Sequence, residues 1–127
     1  MESTTTTPAK LIVQQGKNVL TSMKDLKLRA KKKGRERFDL YERFCANCHS
    51  FEVYTYMDPK IGQSAEVQAF QQKLESFRAE FADVRTDFDK EVDMKQVKVI
   101  YEEVLAAYNA MVNILGFDEE AVNIKRL

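Results

Sequence analysis

The chain has 127 residues, enough for one domain with a single core and too few for two. Its 44% apolar and 31% charged residues argue against wholesale disorder, and 20 Lys/Arg against 20 Asp/Glu leave no net charge. Four Gly and two Pro are few for a β-sandwich or barrel, two Cys are too few for a disulfide scaffold, and one His with no Trp leaves little for a zinc hydrolase or a Ser-His-Asp enzyme.

No apolar run approaches the ~18 residues of a membrane span. Residues 1–8 lack the charged-then-apolar layout of a secretory signal. The expectation is a cytoplasmic or nuclear protein whose thiols stay reduced. The run Thr4, Thr5, Thr6, Thr7 has nothing to bury, so residues 1–8 are expected to form a disordered, mobile tail and residues 9–127 a single helical domain. Pro8 suits the first turn of a helix.

Ile12, Gly16, Val19, Met23 and Leu26 recur at spacings of 4,3,4,3, widened by Val13 and Leu20, which predicts a helix from 9 to about 32. Gly16 inside it suggests a close helix approach or a weak first turn. Gly34 marks a hinge. Phe38, Tyr41, Cys45 and Cys48 lie on a second helix, with Leu40, Phe44 and Phe51 adding apolar surface. Val53, Tyr54, Thr55 and Tyr56 are strand-prone but have no partner strand, and Asp58-Pro59 with Gly62 reads as a loop.

Val67, Phe70, Leu74, Phe77, Phe81, Val84 and Phe88 are spaced 3,4,3,4,3,4, a heptad stripe that predicts a helix over 64–90 capped by Ser64. Met94, Val97, Tyr101, Val104, Tyr108, Met111 and Leu115 repeat that spacing. The phase slips between Phe88 and Met94, which places a turn at about 89–93, with Asp93 and Gln96 as a capping box; one long bent helix is the alternative. The hydroxyls of Tyr101 and Tyr108 need partners or solvent. Gly116 is a helix terminator, and Asp118 would cap a short last helix over 119–125. The expected fold is all-α: an antiparallel four-helix bundle whose C-terminal hairpin carries the heptads, in the manner of a coiled coil.

One motif carries chemistry. Cys45-Ala-Asn-Cys48-His49 fits C-x-x-C-H, and the wider stretch from Phe44 to Glu52 resembles the haem-binding segment of class I c-type cytochromes. The resemblance implies haem c joined to Cys45 and Cys48, with His49 on the iron and a second axial ligand from a later loop. The residues by themselves also read as small core thiols continuing the Phe38–Tyr41 stripe, which requires no cofactor. A zinc site is a third reading, completed by a second copy of the chain, because one chain supplies three ligands where a closed site takes four. No βαβ pattern surrounds the pair to suggest a thioredoxin-like motif.

Charge is unevenly spread. Residues 1–50 hold 11 Lys/Arg and 5 Asp/Glu, and residues 51–127 hold 9 and 15. The basic excess lies in Lys24, Lys27, Arg29, Lys31, Lys32, Lys33, Arg35 and Arg37. It reads either as a solvated helix end or as a surface for phosphate backbones, RNA above all. The same charges could face anionic headgroups or serve nuclear import. The acidic residues 80–93 read as the outer face of a helix, or as a partner for the basic cluster of another copy. No Gly-rich phosphate loop, H-E-x-x-H or other catalytic set is present, and none of the many carboxylates sits in an apolar context. The expectation is a non-enzymatic interaction protein that self-associates and binds RNA or another polyanion. The alternatives are a haem- or metal-binding redox protein and a structural adaptor with a helical partner.

Overall fold

The computed structural model describes residues 7–124, and among them every regular element is helical. Helix α1 spans Pro8–Leu28. Thr7 caps it, its side chain accepting the Lys10 N–H at 3.2 Å, and Pro8 takes the first position. Thr7 and Pro8 therefore belong to the helix start and not to the expected tail; residues 1–6 lie outside the described residues. The helix also stops short of 32. In a continued helix the Ala30 carbonyl would accept from the Gly34 N–H. Here it accepts from Arg37 at 2.8 Å, while the Gly34 N–H turns to the Phe88 carbonyl at 3.0 Å. Tertiary partners take both ends of the missing bond. Gly34 meets this with a φ of 117°, a region side-chain-bearing residues rarely enter.

Helix α2 spans Arg35–Thr55, so the strand-prone residues at its end are helical. Its buried line is Arg37, Tyr41, Phe44, Cys48, Phe51 and Thr55, a 4,3,4,3,4 spacing. Phe38 and Cys45 sit at the edge of that line. The Asp58–Gly62 stretch, expected as a loop, contains a short helical turn, α3 (Pro59–Gly62), because Asp58 accepts from the N–H groups of Lys60 and Ile61. Gly62 abuts the end of α2 so closely that a Cβ there would lie 2.4 Å from the Thr55 carbonyl oxygen.

Helix α4 spans Ala65–Glu80 and is capped by Ser64 as expected. It ends well before residue 90. The stripe nevertheless stays buried past the helix end: Phe81 and Val84 are fully enclosed, carried by a 3-10 turn at Ala82–Arg85. Residues 86–93 then run irregularly to Asp93, whose side chain accepts the Gln96 N–H and starts α5 (Met94–Leu115). A single bent helix over this region is thereby excluded. Gly116, with a φ of 86°, ends α5, and the Phe117 N–H closes back on the Val112 carbonyl. The expected last helix is instead a 3-10 turn at Asp118–Glu120 followed by non-helical residues 121–124; residue 125 lies outside the described residues. Asp118 does not cap this turn and accepts from the Asn113 amide at 2.8 Å.

Packing runs mainly α1 on α2 and α4 on α5, with α1 also meeting α5 and α2 meeting α4. The shared core is aromatic, with Phe44 edge-on to Phe77 at 5.4 Å and Phe51 edge-on to Phe70 at 5.1 Å. Each such ring contributes about 1.5–3 kcal/mol by leaving water. At Gly16 a Cβ would stand 3.3 Å from the Tyr108 ring, so its place in α1 marks a close approach to α5. No helix among the described residues is long and apolar enough to cross a membrane.

Candidate functional site

The eight basic residues between 24 and 37 divide into three groups. Arg37 is 1% exposed. Its guanidinium donates to the carbonyls of Ala30 (2.8 Å), Phe88 (2.9 Å) and Lys90, and so pins the end of α1, the start of α2 and the 86–93 connection together. Burial lowers its pKa, and the carboxylates of Asp89 and Asp87 oppose that shift. Arg37 thus cannot reach a ligand, which corrects its expected place on a binding surface. The α2 register foreshadows this: Arg37 falls four residues before Tyr41 on the buried line.

A second group is exposed or partly so and carries ion pairs: Arg29 with Glu36 at 2.8 Å, Lys33 with Glu91 at 3.6 Å and Arg35 with Asp39 at 3.5 Å. Lys27 lies 4.7 Å above the Tyr101 ring. Exposed pairs of this kind exchange easily with solvent and add little to stability. The third group is Lys24, Lys31 and Lys32, all exposed, which make no ion pair among the described residues. Lys31, Lys32 and Lys33 occupy the turn between α1 and α2, immediately before an α2 N-terminus that no side chain caps. Uncapped N–H groups and the positive end of the helix dipole add to the field of the lysines.

Of the acidic residues expected on the outer face of a helix, Glu80 ends α4 and Asp83 lies on the 3-10 turn, but the later ones are not helical. Asp87, Asp89 and Glu91 lie on the 86–93 connection, folded against the basic turn of the same chain through Arg37, the Gly34–Phe88 bond and the Phe38–Phe88 stack at 4.9 Å.

A groove of about 450 Å³ opens between α1 and α5, and sequence reasoning missed it. Leu20, Leu105 and Val122 give it an apolar floor; Lys24, Lys27 and Lys98 stand on its walls. The C-terminal segment closes one side. Asn109 holds Val122 by two 2.8 Å bonds, and the buried Tyr108 hydroxyl donates to the Glu120 carbonyl at 3.1 Å. The signal in the sequence was weak: Lys98 falls three residues before Tyr101, but α1 supplies the opposing wall from about 75 residues away.

The two thiols of the C-x-x-C-H motif lie near each other and near Arg78, while His49 is exposed. Cys48 is buried, and burial pushes its thiol up to about 12. Cys45 is half-buried beside Tyr41, and burial raises its thiol as well. Raised in this way, both thiols stay protonated at neutral pH. Among the described residues no three His, Cys, Asp or Glu side chains converge on a point that could hold a metal ion. Comparison with protein-family models, with curated proteins and with solved structures finds no match.

Proposed function

We propose that this chain is a non-enzymatic helical protein that binds RNA as a polyanion through the turn between α1 and α2. The observation that carries the reading is the exposure of Lys31 and Lys32, which make no ion pair among the described residues, beside an uncapped helix N-terminus. Lys33, Arg29 and Arg35 extend the surface once phosphates displace their carboxylate partners. Arg37 shapes it from beneath. Binding of this kind follows phosphate charge and not base identity. The packing of α1 with α2, α4 with α5, and each pair with the other fits an antiparallel four-helix arrangement that holds the turn at one end.

The test is RNA binding by the full chain across a salt series, with Lys31→Gln, Lys32→Gln and Lys33→Gln combined. Each lost phosphate contact removes about 0.7–0.9 from the slope of log affinity against log salt, so the triple variant loses roughly 2–3. Affinity that is absent, or unchanged in the triple variant, removes the reading.

Self-association is the second element of the proposal. Val53 near the end of α2, and Tyr56 and Met57 in the turn after it, are 45%, 69% and 48% exposed, a cluster of large apolar side chains close together in the chain. A second copy or another helix is the partner that surface suits. Sedimentation of the wild type against Tyr56→Asp tests it: a single monomeric species in both ends the idea.

A further inference from the structure

We infer that the groove between α1 and α5 binds a single-chain amphiphile with an anionic head, such as a medium-chain carboxylate. The site is separate from the polyanion surface proposed above, although Lys24 and Lys27 border both. Its volume of about 450 Å³ falls in the range of small-molecule clefts, roughly 300–1,000 Å³. Its floor is hydrocarbon from three elements: Leu20 of α1, Leu105 of α5 and Val122 of the C-terminal segment. An apolar chain laid there releases water from that floor.

The walls select the head. Lys24 and Lys98 are exposed, face the groove from opposite helices and make no ion pair among the described residues. Lys17 at one end is held by Glu120, and Glu102 is the acidic side chain on the lining, so the balance stays cationic. A carboxylate can meet Lys24 and Lys98 while its tail follows the floor; a cationic head would be repelled. A nucleobase fits less well. The Tyr101 ring is already engaged by the Lys27 ammonium at 4.7 Å and by Phe77 at 6.4 Å, so it is not an open stacking platform.

The experiment is displacement of 11-(dansylamino)undecanoic acid from the full chain by decanoate or by decyltrimethylammonium, both below their micellar concentrations. Decanoate is expected to displace the probe and the cation to fail at equal concentration. Thr21→Trp, at an exposed lining position, fills the groove without touching the core and should weaken decanoate at least ten-fold. Lys24→Gln with Lys98→Gln should do the same with the helical circular dichroism unchanged. The combined Lys31, Lys32 and Lys33 variant should keep wild-type decanoate affinity while losing RNA. Equal displacement by both heads, no displacement, unchanged affinity in the groove variants, or loss of decanoate in the turn variant would each overturn the assignment. Failure of RNA binding alone leaves the groove measurement intact.

Discussion

Two cationic regions lie within one short stretch of sequence, and the fold uses them oppositely. Arg37 is enclosed and donates to three backbone carbonyls from three segments. Lys31 and Lys32 stand in solvent one turn of chain earlier and hold nothing among the described residues. The difference follows from side-chain chemistry. A planar guanidinium can satisfy several carbonyls at once from a fixed geometry, whereas a lysine ammonium is a compact, strongly hydrated charge on a flexible stem. Position does the rest: Arg37 is in register with Tyr41, Phe44 and Cys48, and the lysines sit where α1 has already unwound.

Replacing Arg37 by Met should break the comparison hardest. It removes a charged donor from three buried or part-buried carbonyls and frees the 86–93 connection, at a cost of about 3 kcal/mol in urea unfolding. Arg37→Lys should recover only part of that loss, since one ammonium cannot span the same three acceptors.

Asn109→Ala comes next. It removes both bonds to Val122 and should cost roughly 1–2 kcal/mol. Hydrogen exchange should show faster amides over residues 118–122 with α5 unaffected; an unchanged exchange pattern would show that Tyr108, Asn113 and Lys17 suffice to hold the segment.

Alkaline pH sharpens the contrast between core and surface. Burial pushes Cys48 from 9.0 to about 12, and burial with the neighbouring Cys45 thiol pushes Tyr41 from 10.0 to about 12. The folded chain therefore keeps protons that the unfolded chain releases. Stability is complete below pH 9 and falls as pH climbs towards 12. Urea midpoints at pH 8 and 10.5 check the sign, and Cys48→Ala with Tyr41→Phe should flatten the decline.

The smallest effect belongs to the turn. Gln at positions 31, 32 and 33 removes one exposed ion pair, Lys33–Glu91, and should change stability by no more than about 0.5 kcal/mol. A variant equally stable but deficient in RNA binding would separate the surface from the scaffold beneath it.

The acidic residues show what charge patterning leaves open. Asp87, Asp89 and Glu91 were legible as a complement to the basic cluster, but chain reversal between α4 and α5 returns them to the cluster of their own chain. The α4 stripe gives a related lesson. Val67 to Val84 is buried throughout, yet the helix ends at Glu80 and a 3-10 turn continues the same buried face. Periodicity reports which side chains leave water, and several backbone forms can deliver them there.

Local physics in the sequence determined that this chain is helical, where α1, α4 and α5 begin, where Gly116 ends α5, and which apolar stripes are buried. Each of those depends on caps, spacing or backbone freedom within a few residues. Only the tertiary structure decided that Arg37 is a core staple, that α1 stops at Leu28, that Cys48 is buried while His49 is exposed, and that Lys24 and Lys98 share a groove. Those outcomes depend on groups brought together from distant parts of the chain. A carbonyl at Ala30 has no way of being claimed by Arg37 until Phe88 and Lys90 fold back to bury the guanidinium between them.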